Sequence, residues 1–283
     1  MSDVRTVKKV IKGIPSMDGA GVHLVRMFGN YDVKDFDPFL MMDAFDSKDP
    51  RDYVKGFPWH PHRGIETITY LISGDVEHGD SLGNQGSILD GECQWMTAGS
   101  GIIHQEMPKH CKHMLGVQLW LNLPAKYKMV APTYHGIKAS NIPIIQEGQT
   151  KIHVISGHYK DTKGAMLGEY VEAQYLDVEL KAGQIWTMET PTDHTLFVYI
   201  VDGGGFFAPN SSDVYFEKNI VLFNSGSELF VQANNKEMRF LVLSAKPINE
   251  PVAWGGPIVM NTQKELQQAF SELEDGTFIK ENT

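Results

Sequence analysis

Residues 59–74 of the chain read WHPHRGIETITYLISG, and this stretch decides the fold. Its segment 66–72 (ETITYLI) lies between glycines and is rich in β-branched and aromatic side chains, so it predicts a short strand. Similar runs recur between turn residues along most of the chain, at 117–123 (VQLWLNL), 151–155 (KIHVI), 196–201 (LFVYIV) and 240–243 (FLVL). Short strands at such spacing predict an all-β protein built as a sandwich or barrel.

One helix is predicted, close to the C-terminus, over residues 262–273 (TQKELQQAFSEL). Its apolar residues recur at spacings of three and four, which places them on one helical face: Leu266, Ala269, Phe270 and Leu273. Asn261 or Thr262 can cap the start of this helix, and Asp275 with Gly276 ends it. The sequence therefore predicts a short C-terminal helix added to an all-β protein.

The two halves of the chain look like diverged copies of one unit. Aligning Gly74 with Gly204, and Gly99 with Gly226, brings their strands and turns into register. Such faint repetition is moderate support for a duplicated fold. The segment 131–149, with its Pro, Gly and Asn residues, is the expected passage between the halves. We therefore expect an N-terminal metal-binding domain over residues 1–135 and a C-terminal domain without metal ligands over residues 136–283.

Composition describes an ordinary globular protein, with 42% hydrophobic and 21% charged residues among 283. The formal net charge of −10 argues against direct nucleic-acid binding, which needs a basic surface. The only cysteines, Cys93 and Cys111, are too far apart for a CxxC motif and suggest a reducing compartment. The N-terminus resembles no signal peptide, and no stretch approaches the ~18 apolar residues of a membrane span. We expect a cytoplasmic protein that does not enter membranes.

The residues that carry chemistry stand in two short motifs. His60 and His62 form an HxH pair, and His104 with Glu106 forms an HxE pair after a glycine-rich turn. Residues i and i+2 of a strand project from the same face. Two such pairs on neighbouring strands would surround one point with imidazoles and a carboxylate, a ligand set that suits iron, manganese, nickel, copper or zinc.

Either motif alone is weak, since histidines also line polar surfaces, but their joint appearance favours a metal site. Burying these groups without a metal or partner would be costly. The second half acts as an internal control. In the register above, Thr190 and Thr192 replace the histidines of the first motif, and Val231 and Ala233 replace His104 and Glu106. The fold does not require the four residues, so chemistry explains their presence better.

Other candidates are weaker. Glu66 lies four residues after His62, so it is expected to share the strand face of His62, as a fifth ligand or as a group that orients a histidine. Cys93 is expected to be a core thiol. Three histidines are expected to be solvated: His78, His110 and His113. The aromatic residues near the site can belong either to the core or to the wall of a pocket: Phe57, Trp59 and Trp95.

Taken together, several segments closely resemble the pirin family of the cupin superfamily. They are 37–43 (DPFLMMD), 57–64 (FPWHPHRG), 94–107 (QWMTAGSGIIHQEM), 118–123 (QLWLNL) and 256–262 (GPIVMNT). The resemblance spans nearly the whole chain. It implies two cupin-type jelly-roll barrels in one chain. Only the N-terminal barrel is expected to bind metal.

Carried over by motif, the resemblance implies that His60, His62, His104 and Glu106 bind one divalent metal, in pirins usually Fe(II). It also makes Glu106 rather than Glu66 the carboxylate ligand. Two functions follow from it. One is a dioxygenase of the quercetin 2,3-dioxygenase type, which opens a flavonol ring with O2 and uses Glu106 as the catalytic base. The alternative is a non-enzymatic, redox-responsive regulator that binds a protein partner. A binding or isomerising cupin is a third possibility.

Overall fold

The structure of the protein is a computed structural model, and it describes residues 3–280. Each strand predicted from the sequence is present within three residues of its expected ends. The observed strands are Ile65–Ser73, Met114–Asn122, Thr150–Ser156, Thr195–Asp202 and Met238–Ala245. Their β-branched and aromatic side chains are buried almost throughout, which explains why the composition of these runs identified them.

The strands of the first half, numbered along the chain, are β1 (Val7–Lys12), β2 (Ile14–Asp18), β3 (Val22–Phe28), β4 (Phe39–Ser47), β5 (Phe57–His62), β6 (Ile65–Ser73), β7 (Val76–Asp80), β8 (Gln85–Ile88), β9 (Cys93–Thr97), β10 (Ile102–Pro108), β11 (Met114–Asn122) and β12 (Thr133–Ile137). Short helical turns interrupt them: 3-10 turns at Asn30–Asp32, Pro50–Asp52, Ala125–Tyr127 and Ala139–Asn141, and the helix α1 (Val33–Phe36).

The strands of the second half are β13 (Ile144–Glu147), β14 (Thr150–Ser156), β15 (His158–Tyr159), β16 (Thr162–Lys163), β17 (Gln174–Leu180), β18 (Ile185–Glu189), β19 (Thr195–Asp202), β20 (Gly204–Phe206), β21 (Tyr215–Phe216), β22 (Asn219–Phe223), β23 (Glu228–Ala233), β24 (Met238–Ala245), β25 (Ala253–Gly255) and β26 (Ile258–Met260). The C-terminal helix is α2 (Gln263–Glu274). It starts at Thr262, whose side chain accepts a hydrogen bond from the Glu265 amide, so the predicted helix and its cap are confirmed.

These strands form two compact units. The first barrel comprises Ile14–Ala139 and residues 248–280, and the second barrel comprises residues 3–13 and Ser140–Pro247. In the first barrel, a larger sheet of order β12-β9-β6-β11-β4-β3-β2 accompanies a smaller one of order β5-β10-β7-β8. In the second barrel the corresponding orders are β1-β22-β19-β24-β17-β14-β13 and β18-β23-β20-β21. The matching orders confirm two jelly-roll barrels of one design.

The compact units differ from the expected division into 1–135 and 136–283 at both ends of the chain. Strand β1 pairs with β22 and supplies the second barrel with the edge strand that β12 supplies to the first. At the other end, Leu266 and Ala269 of α2 pack on Ile258 and Phe278 within the first barrel. Pairing between strands so distant along the chain leaves no local pattern in the sequence. A division of the chain into two continuous segments could therefore not include it.

Each barrel has its own apolar core. That of the first barrel includes Leu40, Ile65, Met96 and Trp120, and that of the second includes Val178, Trp186 and Phe240. None of the helices within residues 3–280 combines the length and the apolar character that crossing a membrane would need.

Candidate metal centre

Three of the four predicted ligands come together on the smaller sheet of the first barrel. Strands β5 and β10 are antiparallel, and His104 lies directly opposite His60. The ring centroid of His104 lies 4.3 Å from that of His60 and 5.0 Å from that of His62. The centroids of His60 and His62 are 4.8 Å apart. One nitrogen of each ring lies within 4.8 Å of the corresponding nitrogens of the other two. The arrangement places three imidazoles around one point.

The local backbone explains how β5 presents its two histidines. Between the pairs His104–His60 and Glu106–Phe57, β5 contains one residue more than β10, which is a β-bulge at Pro58 and Trp59. Because β5 is an edge strand, its prolines remove no hydrogen bond that the sheet needs. After the strand ends at His62, the chain turns at Gly64, where φ is +77° and a Cβ atom would lie 2.0 Å from the carbonyl oxygen of Val259. Only glycine fits this turn.

Hydrogen bonds to carbonyl groups determine which nitrogens of two of these rings are free. Nδ1 of His60 lies 2.9 Å from the Pro58 oxygen, and Nδ1 of His62 lies 3.1 Å from the Pro257 oxygen. A carbonyl oxygen only accepts, so both Nδ1 atoms carry the proton and both Nε2 atoms present a lone pair. These two Nε2 atoms are 3.1 Å apart. Nε2 of His104 is buried without a hydrogen-bond partner.

Electrostatics keeps the buried rings neutral. Burial, with a smaller contribution from His60, lowers the pKa of His62 to about 3. Burial and the neighbouring His62 and His60 hold the pKa of His104 well below its usual value. Neutral rings that direct lone pairs at one another repel unless a cation lies between them, and imidazole nitrogen is a common ligand of divalent transition metals. The donor set therefore fits such an ion.

The lowered pKa of His62 predicts how stability depends on pH in metal-free protein. Below pH 6.5 the unfolded chain protonates this histidine while the folded protein does not, so stability is lost as the pH falls from about 6.5 toward 3. We expect the thermal midpoint of the metal-free protein to fall over this range and to fall less in His62→Gln. Equal pH dependence in both proteins, measured by calorimetry, would contradict the neutral, buried assignment of His62.

Glu106, the fourth predicted ligand, has its own hydrogen-bond partners beside the three histidines. Among residues 3–280, the group of ligand atoms within 4.8 Å of one another does not include it. Glu106 lies two residues after His104 on β10 and is 3% exposed. Its carboxylate accepts hydrogen bonds from Oγ1 of Thr69 at 3.0 Å and from Nε2 of Gln118 at 2.8 Å. Both partners lie on the larger sheet and hold the carboxylate in place.

Glu66 lies elsewhere than in the histidine cluster. A turn at Gly64 separates β5 from β6, so His62 and Glu66 do not share one continuous strand. On β6, Glu66 alternates with Thr67 and therefore projects from the opposite face to Thr69, which contacts Glu106. Its carboxylate accepts a hydrogen bond of 2.7 Å from Oγ1 of Thr97. The expectation that Glu66 shares a face with His62 is wrong because of the turn.

A cavity opens beside the histidines. The volume that the centre of a water-sized sphere can reach is about 570 Å³, and His60, His62 and Pro257 form part of its wall. Two tryptophans form an aromatic side, with the Trp120 and Trp254 ring centroids 5.7 Å apart and Trp120 edge-on to His62 at 5.0 Å. The cavity is large enough for a drug-sized aromatic molecule.

A charged group also lines this cavity. Arg26 donates two hydrogen bonds to the carboxylate of Asp43, at 2.9 and 2.7 Å, and a third of 2.9 Å to Asp18. Hydrogen bonding to Asp43 raises the pKa of Arg26, whereas burial raises the pKa of Asp43. The cavity therefore combines an aromatic side with an ion pair that can bind hydroxyl groups.

The segment 254–259 near the C-terminus completes the site, and the sequence did not reveal this contribution. Pro257 orients His62, Trp254 lines the cavity, and the Val259 amide donates to the Arg63 carbonyl at 3.1 Å. Arg63, itself buried, pairs with Glu272 of α2 at 2.7 Å. The segment 256–262 contributed to the family resemblance, but no local signal assigned it to the histidines.

Lys128 connects this segment, through hydrogen bonds, to the turn at Gly64 that follows β5. Burial lowers its pKa to about 7, and its Nζ donates to the carbonyls of Gly64 and Val259 at 2.8 and 3.0 Å, and to Oδ1 of Asn122. We expect Lys128→Met to lower the free energy of unfolding by about 1–3 kcal/mol, because buried oxygens lose their donor. The exposed neighbour Lys126 provides the control, and in denaturant titrations Lys126→Met should stay within ~0.5 kcal/mol. Equal losses in both variants would contradict the role of Lys128.

The remaining histidines divide into buried and exposed ones. His78 was expected to be solvated, but it is buried, and its Nε2 lies 2.7 Å from the hydroxyl of Tyr134. This expectation was wrong because His78 lies on β7 directly opposite Glu106, on the inner face of the sheet. His110 is exposed, and His113 is partly exposed and lies 2.7 Å from Asp46.

The aromatic residues near the motifs have three different environments. Trp95 is fully buried, Phe57 lines the cavity beside the histidines, and Trp59 is 55% exposed. The expectation that Trp59 lies in a core or pocket wall was wrong, because the bulge directs it outward. Cys93 is buried, and burial raises the pKa of its thiol, so it is a core thiol as predicted.

Strand pairing in the second barrel shows that the sequence register assigned the wrong counterparts to His60 and His62. Its strand β23 places Val231 opposite Trp186 and Leu229 opposite Met188, as β10 places His104 opposite His60 and Ile102 opposite His62. Trp186 and Met188, rather than Thr190 and Thr192, therefore correspond to the HxH pair. The error arose because the predicted register ignored strand pairing. All four counterparts, Trp186, Met188, Val231 and Ala233, belong to the apolar core of the second barrel.

Comparison with known proteins identifies the family. The family pattern described as Pirin matches residues 21–121, and that of the Pirin C-terminal cupin domain matches residues 175–279. The chain belongs to the pirin family. This pirin is 42% identical over 278 residues to the pirin-like protein of Caulobacter vibrioides, which covers 97% of this chain and 99% of that protein. Both of its barrels are cupin domains.

Solved structures agree with this assignment. The crystal structure of quercetin 2,3-dioxygenase from Acinetobacter baumannii matches this pirin with a TM-score of 0.88 at 32% identity, covering 97% of this chain and 98% of that one. The bacterial pirin YhhW from Escherichia coli, solved in complex with nickel(II), has a TM-score of 0.66 at 18% identity, covering 84% and 99%. The second likeness concerns the fold alone.

Proposed function

We propose that this pirin is a metal-dependent dioxygenase that opens the ring of a flavonol, such as quercetin, with O2. One observation carries the proposal: the nitrogens of His60, His62 and His104 converge, and two of these rings, His60 and His62, line a cavity that has an aromatic side. The similarity to a protein named quercetin 2,3-dioxygenase supports the substrate class. The names of the relatives give no support to the alternative of a non-enzymatic regulator with a protein partner.

In this proposal, His60, His62, His104 and Glu106 hold one divalent transition metal. The ligand types are compatible with Fe(II), the first candidate, and with manganese, nickel, copper or zinc. When bound, such an ion supplies Lewis acidity toward a phenolate oxygen and the means to activate dioxygen. The protein contributes the orientation of the rings. Pro58 and Pro257 accept the Nδ1 protons of His60 and His62, which leaves their Nε2 atoms free for the ion.

The cavity provides for the substrate. A planar flavonol can lie against Trp120 and Trp254, whose faces offer stacking contacts. Its hydroxyl groups can bind the Arg26–Asp43 pair, because an ion pair both donates and accepts hydrogen bonds. Contact with these residues holds the substrate beside the histidines and excludes water from the reacting oxygen.

Glu106 acts as the base in this scheme. Removing the proton from the flavonol hydroxyl makes the oxygen a better ligand and makes the ring easier to oxidise. The carboxylate of Glu106 can accept this proton, and the hydrogen bonds from Thr69 and Gln118 hold it toward the inside of the barrel. Gln118 also lines the substrate cavity, so it connects the position of Glu106 with that of the substrate.

The proposal is tested with purified protein whose metal content has been measured. Quercetin is added first without oxygen and then with it, and absorbance loss and carbon monoxide are followed. We expect about one metal ion per chain, no consumption without oxygen, and one carbon monoxide released per flavonol consumed with oxygen. Bound metal without consumption of any flavonol would contradict the dioxygenase proposal, and failure to bind metal after reconstitution would contradict the metal site.

A further inference from the structure

A second, much smaller cavity lies inside the first barrel, on the side of Glu106. The volume that the centre of a water-sized sphere can reach is about 20 Å³, enough for one small molecule. Seven of the eleven residues in its wall are apolar, and four of these are buried: Val22, Leu71, Val76 and Met114. Apolar space inside a protein can stay dry and take up apolar gases such as xenon.

The polar groups on the wall form hydrogen bonds within the protein. Thr69 and Gln118 both donate to the carboxylate of Glu106, at 3.0 and 2.8 Å. The hydroxyl of Tyr53, also on the wall, lies 3.2 Å from the carbonyl oxygen of Cys111. A stable buried water needs about two to four hydrogen bonds. The donors on the wall are used within the protein, so a water there could only donate to Glu106, and the rest of the wall suits an uncharged molecule that forms no hydrogen bonds.

The cavity adjoins the proposed site. Phe57 and Gln118 line both this space and the larger cavity beside the histidines, so these two side chains form the partition between them. Glu106, the proposed base, lies on the wall of the smaller cavity. A molecule in the smaller cavity is therefore one side chain away from the substrate.

We infer that the small cavity is a binding site for dioxygen, supplied to the reaction from the Glu106 side of the barrel. This inference rests on the proposed function, which requires O2 beside a bound flavonol. Dioxygen is apolar and diatomic, so it matches both the size and the apolar wall of the cavity. The flavonol enters the larger cavity, and the two substrates reach the site from different sides without displacing each other.

Xenon tests the cavity directly, because its binding is read without turnover. Crystals of the metal-loaded protein under xenon pressure should show one xenon atom among Leu71, Val76 and Met114. Val76→Ile adds a methyl group to the wall and should abolish this peak, whereas Leu71→Ala enlarges the space and should strengthen it. An ordered water in the cavity of the wild-type protein, or the absence of xenon there, would overturn the inference.

Kinetics tests whether the cavity serves the reaction. We expect Val76→Ile to raise the KM for O2 several-fold while the KM for the flavonol and kcat at saturating O2 stay unchanged. Val154→Ile makes the same change in the core of the second barrel and should alter none of these values. An unchanged KM for O2 in Val76→Ile overturns the inference while leaving the dioxygenase intact. Xenon uptake without any turnover would instead contradict the proposed function.

Discussion

His62→Ala should abolish metal binding and flavonol consumption together. His62 is 2% exposed, and its ring lies within contact distance of both His60 and His104. Its removal takes away one of the three converging imidazoles and leaves a gap in its place, so water can occupy that ligand position and the ion is held much less tightly. Changing only the groups that orient metal ligands already costs ~10–100-fold in affinity or activity. We therefore expect turnover to fall by more than about 100-fold, with metal content close to zero.

The control for this variant is a histidine that lies outside the cluster. His194 of the second barrel is partly buried, and its Nδ1 lies 3.3 Å from Oγ of Ser244. His194→Ala should retain full metal content and turnover. Metal is measured by mass spectrometry of the purified proteins, and folding is compared by circular dichroism. If His62→Ala folded normally and kept its metal and its turnover, the three-histidine centre would be wrong.

Glu106→Gln should lower kcat by about 10²–10⁴-fold, the range that a positioned general base contributes. The amide has nearly the same shape as the carboxylate but cannot take a proton. Its amide NH2 group also faces Thr69 or Gln118, which in the wild-type protein donate to the two carboxylate oxygens. The three histidines remain, so metal content should fall less than in His62→Ala.

Two further measurements separate the roles of Glu106 in this variant. A loss of kcat with retained metal is the result expected of a base, and a loss of metal equal to that of His62→Ala would make Glu106 chiefly a ligand. Glu66→Gln is the matched control, since Glu66 is also buried but projects from the other face of β6. Unchanged kcat in Glu106→Gln, in protein that still binds metal, would remove Glu106 from the catalytic residues.

The sequence could predict those features that arise from local patterns. Alternating or continuous apolar runs identified the strands, and the spacing of Leu266 and Ala269 identified α2 together with its Thr262 cap. The HxH and HxE pairs identified the histidines, because a strand repeats every two residues and this geometry is independent of the rest of the chain. The cupin fold followed from the same motifs through the family resemblance.

The sequence failed where the result depends on which strands become neighbours. The counterparts of His60 and His62 in the second barrel are Trp186 and Met188, four residues from the positions inferred by aligning glycines. Glu66 was placed on the wrong face because a turn at Gly64 separates two strands. His78 was expected to be solvated, yet it lies opposite Glu106 on an inner face.

Only the tertiary structure decided how the metal centre is completed. Pro257 is 195 residues from His62 along the chain, and Gln118 reaches Glu106 from another sheet. Likewise, β1 joins the second barrel and α2 the first. Such contacts form because distant segments bury apolar surface and satisfy backbone groups at the same time. By itself, therefore, the sequence determined the strands, the helix and the histidine pairs, and the packing of distant segments determined the cavities and the partners that orient those histidines.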